Sequence, residues 1–122
     1  MPRVLLLCTE DVLCGRLRQA FQSHTEFQIH GGLKNGTYTL AKVRELRSDL
    51  VVVETASNPR AGLDTAEKVK RILPRVPLFL ITPEHSMAAE KDALHRGIDA
   101  VFKRMMNLTS LVMNARAACG LE

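Results

Sequence analysis

SDLVVVETASNPRAGLDTAEKVKRILPRVPLFLIT, running from Ser48 to Thr82, holds the pattern on which the fold turns. Leu50 to Val53 is apolar at every position, as is Leu78 to Ile81. A short unbroken apolar run suits a strand buried on both faces. Between the two runs Leu63, Ala66, Val69, Lys70 and Leu73 fall at helical spacing, and Pro74 ends that helix. Strand, helix and strand in this order make the crossover of a parallel pair.

Working outward, Val4 to Leu7 repeats the apolar run, which predicts a third central strand. Asp11 is placed to cap a helix carrying Val12, Leu13, Leu17, Ala20 and Phe21. Phe27 to His30 reads as a short strand. Leu40, Val43 and Leu46, with Arg44 and Glu45 between them, favour a helix, although Asn35-Gly36 would also suit a hairpin turn into the alternating Thr37 to Leu40. Ala89, Ala93 and Leu94 predict a fourth helix stopped at Gly97, and Ala100 to Lys103 a last strand. Leu108, Leu111, Val112 and Ala115 give a closing helix behind the candidate caps Asn107 and Thr109. The strict alternation predicts an α/β domain: a five-stranded parallel sheet, (βα)5, with helices on both faces.

The 122 residues, 46% hydrophobic and 25% charged, have the size and composition of one soluble domain. No apolar run approaches the ~20 residues of a membrane helix, and the start is too short for a signal peptide, so the expected location is cytoplasmic with no membrane partner. Cys8, Cys14 and Cys119 are odd in number and lack zinc-type spacing, so reduced thiols are expected and no metal site. His24, His30 and His95 likewise show no metal-ligand spacing. The net charge of +4 is spread over helical faces around Lys42, Arg44 and Arg47 and around Lys68, Lys70, Arg71 and Arg75, a weak case for nucleic-acid binding by this chain. The domain is expected over 1–120, with Leu121-Glu122 after Gly120 read as a vector-derived tail.

In such a sheet, ligands bind at the carboxyl ends of the central strands. Those ends place Cys8, Thr9, Glu10 and Asp11 after the first strand, Glu54 to Ser57 after the third, Thr82 to His85 after the fourth, and Lys103-Arg104 after the fifth. The segments LKNGTYTLAKVRELRSDLVVVE, VPLFLITPEHS and ALHRGIDAVFKR resemble the response-regulator receiver domain, and the match runs ungapped from about Arg3 to Ala118. Asn35-Gly36, Ser48-Asp49-Leu50, Gly62-Leu63 and Gly97 with Asp99 are supporting landmarks. The resemblance implies the flavodoxin-like, CheY-like fold. It also implies phosphoryl transfer through a magnesium-holding carboxylate pair after strand one, an aspartate ending strand three, a threonine or serine, and a lysine.

This sequence departs from that set. On the ungapped match Cys8 and Thr9 stand at the carboxylate pair, with Glu10 next to them, Glu54 at the phosphoacceptor, Thr82 is retained, and Arg104 replaces the lysine. A thiol is not a hard oxygen ligand, a threonine hydroxyl is neutral, and the extra methylene of Glu54 displaces its carboxylate by about 1.5 Å. The expected function is two-component-type signal transduction by a degenerate receiver, or pseudo-receiver. It would act through protein–protein contact, with no cofactor, no catalytic residue and no conventional aspartyl phosphorylation. A receiver phosphorylated on a displaced carboxylate is the alternative. A phosphocysteine carrier at Cys8 is more remote, because the loop after Cys8 lacks an early glycine and carries Glu10 and Asp11.

Glu54 and Arg104 are expected to face each other as a fixed ion pair. The resemblance places a partner or homodimer contact on the fourth helix, fifth strand and fifth helix, with Met87, Phe102, Met105, Met106 and Met113 as its residues. DNA would be reached only through an output domain outside this chain, of the helix-turn-helix kind.

Overall fold

The computed structural model describes residues 2–8, 11–24, 26–34, 40–54, 59–82, 87–103 and 107–121. Its elements are β1 (Arg3–Cys8), α1 (Asp11–Gln22), β2 (Gln28–Lys34), α2 (Leu40–Glu45), β3 (Leu50–Glu54), α3 (Pro59–Ile72), β4 (Leu78–Thr82), α4 (Met87–His95), β5 (Ala100–Lys103) and α5 (Leu108–Ala118). The strands form one sheet in the order β2-β1-β3-β4-β5, and every neighbouring pair is parallel. The expected (βα)5 sheet is therefore the observed one.

Alternation along the strands divides the core into two layers. Val4, Leu6, Cys8, Leu50, Val52, Phe79 and Ile81 pack against Leu13, Leu17 and Phe21 of α1 and Leu111, Val112 and Ala115 of α5. Leu5, Leu7, Val51, Val53, Leu78 and Leu80 pack against Val43 of α2, Ala66 and Val69 of α3, and Ala93 of α4. Because both faces are covered, the strand runs have no polar alternation.

Several element ends differ from the sequence expectation. β2 runs to Lys34 and not His30, continuing through Gly31-Gly32 while its register against β1 shifts between Leu6 and Leu7. α3 opens at Pro59, ahead of Gly62-Leu63, since proline is tolerated in the first helical turn where its missing N–H costs nothing. Val12, expected on the apolar stripe of α1, is 69% exposed; the stripe that packs is Leu13, Leu17 and Phe21, one and two turns apart. On α4 only Ala93 is buried, whereas Leu94 and Ala89 face outward. The Asn35-Gly36 question lies outside the described residues.

Two aspartates lock the amino edge of the sheet. Asp49, just before β3, accepts the Arg3 N–H at 2.8 Å and donates its own N–H to the Arg3 carbonyl at 2.7 Å. Asp99, just before β5, does the same with Leu78, at 2.7 and 3.0 Å. Lys70 of α3 reaches across to Asp99 and to the Val76 carbonyl, each at 2.8 Å. Gly97 ends the α4 turn at a φ of 90°, the left-handed conformation that glycine adopts without a steric penalty. Asn107 caps α5 by accepting the Thr109 N–H at 2.8 Å.

Candidate functional site at the carboxyl edge of the sheet

β1, β3 and β4 each run one residue past the expected apolar stretch, so Cys8, Glu54 and Thr82 are the last residues of strands and not the first of loops. Strand geometry therefore holds their backbones. The register pairs Leu7 with Val53, which sets Cys8 beside Glu54, and it pairs Glu54 with Ile81 and Thr82 with Lys103. Alternation puts Glu54 on the same side as Leu50 and Val52, the layer under α1 and α5 that also holds Cys8. Both side chains are only 1% exposed.

Burial raises the Cys8 pKa above the ordinary thiol range, since the apolar layer disfavours the thiolate. A hydrogen bond and charge interaction with Cys14 push the same way, as does the negative charge of Glu54, while the Arg18 guanidinium opposes them. Cys8 is thus a neutral thiol. Glu54 and Thr82 are each engaged by a partner. A carboxylate this buried costs free energy unless it is paired or hydrogen-bonded.

Magnesium, implied by the receiver resemblance, requires hard oxygen donors. The buried, protonated sulfur of Cys8 does not fit such a donor set, and among the described residues no three His, Cys, Asp or Glu side chains gather into a metal-binding group. Thr9, Glu10 and Arg104 lie outside the described residues, and with them the expected Glu54–Arg104 pair. His85, Met105 and Met106 lie outside as well. Of the expected contact face, Met87 is 78% and Met113 50% exposed. Phe102 is half-buried, its ring 5.1 Å from that of Phe79 at the margin of the α1/α5 layer. Leu94 on α4, which the sequence pattern read as core with Ala93, is 47% exposed.

Sequence reasoning also missed Cys14 and Arg18 as neighbours of Cys8. The available signal was the spacing Cys14, Leu17, Phe21, which puts Cys14 on the packing stripe of α1 next to the end of β1. A cleft lined by Pro2, Asp49, Ala118, Cys119 and Leu121 lies at the opposite, amino edge and takes no part in this cluster.

No family model matches the chain. It is similar to the transcriptional regulatory protein LnrK of Bacillus subtilis, 20% identical over 112 residues that cover 92% of this chain and 51% of LnrK. The response regulator protein VraR of Staphylococcus saprophyticus is 23% identical over 101 residues, covering 82% of this chain and 48% of VraR. The chain thus spans about half the length of the curated relatives it matches. Among solved structures, the receiver domain of the Francisella response regulator 1452 superposes with a TM-score of 0.84 at 13% identity, covering 99% of this chain and 98% of that one. The Vibrio cholerae chemotaxis protein CheY4 gives 0.81 at 16% identity, covering 97% and 98%. Superposing over 97–99% of its length on these structures, the chain has the CheY-like fold.

Proposed function

We propose that the chain is a degenerate receiver domain of a two-component-type signalling protein, acting through protein contact without magnesium-dependent aspartyl phosphorylation. The observation that carries this reading is the Cys8 thiol: buried, protonated and beside Glu54, where the receiver resemblance calls for a metal-ligating carboxylate. Glu54 in place of aspartate adds the second departure, because in-line attack tolerates little displacement of the nucleophile. A domain so altered has no catalytic residue of its own to offer. Its output is the surface it presents.

We put that surface at α4, β5 and α5, where Met87, Leu94 and Met113 are exposed apolar side chains and Phe102 is half-buried. Flexible thioethers suit an adaptable apolar contact, with a second copy or a different protein. Similarity to LnrK, named as a transcriptional regulatory protein, and the half-length match support an output domain outside this chain as the route to DNA. No described helix is long and apolar enough to cross a membrane, in keeping with a cytoplasmic setting.

Incubation with magnesium and acetyl phosphate tests the reading by intact mass. The expected result is an unmodified protein. A labile gain of one phosphoryl group, mapped to Glu10, Asp11 or Glu54, overturns it in favour of a receiver that uses a displaced carboxylate.

A further inference from the structure

The end of α5 is tied down twice. Gly120 takes a φ of 72°, and the helix closes in the paired hydrogen bonds of a glycine stop: the Gly120 N–H donates to the Ala117 carbonyl at 3.1 Å and the Leu121 N–H to the Arg116 carbonyl at 2.8 Å. This turn brings Leu121, half-buried, against the α1/α5 layer. The Arg116 side chain adds the second tie. One guanidinium nitrogen donates to the Leu121 carbonyl at 2.9 Å, and the other is paired with the Glu26 carboxylate in the turn between α1 and β2, 90 residues away in sequence. The Arg116 side chain is 23% exposed and that of Glu26 40%, so water and salt screen this pair less than one on the open surface. Leu121 also forms a wall of the amino-edge cleft, with Cys119, Pro2 and Asp49.

We propose that Arg116 is a latch on the chain leaving α5, closed by Glu26: the carboxylate fixes the guanidinium, and the fixed guanidinium holds the Leu121 carbonyl. The proposal is independent of the signalling reading and goes beyond it. Closed, the latch sets the direction in which the backbone leaves the helix. Opened, it lets Leu121 swing off the α1/α5 layer, and the amino-edge cleft loses that wall. A guanidinium carries its N–H donors in a rigid planar fork, so it can serve a carboxylate and a carbonyl at once, and orienting it for one orients it for the other. Without Glu26 the long side chain regains its rotamers, and the bond to Leu121 must be made against that entropy. Among the described residues no hydrogen bond joins Glu26 to Leu121 directly, which makes Glu26 a positioning residue that acts through Arg116.

Nuclear magnetic resonance on the full chain reads the latch through the backbone order parameter of Leu121. In the wild type Leu121 is expected near the rigid value of about 0.85, and in Glu26→Gln and Arg116→Ala it should fall toward the flexible range below about 0.6. The two changes together should do no more than Arg116→Ala alone, since Glu26 acts through the guanidinium. Cys119 gives the second readout. Its alkylation by iodoacetamide should quicken about fivefold in Glu26→Gln, the change in open fraction that one net hydrogen bond allows, while Cys14, on the separate tryptic peptide 4–16, keeps its rate. A mobile Leu121 in the wild type overturns the proposal, and that measurement decides even where a variant folds poorly. So does a Glu26→Gln protein whose Leu121 order or Cys119 rate is unchanged, or a further loss of order in the double variant.

Discussion

The two edges of the sheet use their polar residues in opposite ways. At the amino edge, Asp49 and Asp99 repeat one device. Each precedes a strand and exchanges hydrogen bonds with the first residue of the neighbouring strand, accepting its N–H through the carboxylate and donating to its carbonyl. Both aspartates keep access to water, and Asp99 has Lys70 as counter-ion, so their charge is cheap to keep. At the carboxyl edge, Cys8 and Glu54 stand buried in the layer under α1 and α5. There a charge is costly and a thiol keeps its proton. Polar groups that extend a ladder belong to stability; buried titratable groups at strand ends are where chemistry is altered by one substitution.

The sharpest way to break the comparison is at the amino edge. Asp99→Ala removes the acceptor for the Leu78 N–H and strands the half-buried Lys70 ammonium, so urea unfolding should report a loss of about 2–3 kcal/mol. Asp49→Ala, with no lysine to strand, should lose less. Equal losses would show that the Lys70 contact adds nothing.

Alkaline pH probes the other edge. The folded pKa of Cys8 lies above the ordinary thiol value of 9.0, so the folded state holds its proton where the unfolded chain has released it. Stability is then fully present below pH 9.0 and falls as pH rises beyond it, with a slope approaching about 1.4 kcal/mol per unit from this group. Cys8→Ala should remove that slope. Cys119→Ala should change it less, because Cys119 is only half-buried, its pKa raised first by burial and then by the charge of Asp49.

Glu54→Gln should leave stability within about 1 kcal/mol of wild type, since it removes a buried charge while keeping the shape of the side chain. The same change should lower the Cys8 pKa without returning it to the ordinary value, because burial is the larger cause. Alkylation rate against pH reads this directly, and an unmoved Cys8 profile would show that the two residues do not sense each other. The smallest effect is expected at Ser48, whose buried hydroxyl oxygen has no hydrogen-bond partner. Ser48→Ala should be neutral or stabilising by up to about 1 kcal/mol in the same melts. A loss would place that hydroxyl among the locks of the amino edge.

Much of the candidate site was legible residue by residue. Cys8, Glu54 and Thr82 could be placed at strand ends because the apolar runs before them are short, unbroken and bounded by polar residues. Their shared burial was not legible, since the same residues at the mouth of a loop would have been wet. The Cys8–Cys14 contact was hidden for a related reason: it joins a strand to a helix, and periodicity within either element is silent about which faces meet.

By itself the sequence determined the element types and the parallel sheet, because runs apolar at every position demand cover on both faces and the alternating helices supply it. It also determined the caps and stops whose chemistry is local, Asn107 before α5 and Gly97 after α4. The tertiary structure alone decided the strand order β2-β1-β3-β4-β5, the extension of β2 to Lys34, the opening of α3 at Pro59, the exposure of Val12 and Leu94, and the pairing of Asp49 with Arg3 and Asp99 with Leu78. Each of these depends on which surface of one element is pressed against another. That choice is settled by the summed packing of distant residues and leaves no mark in the spacing of neighbouring ones.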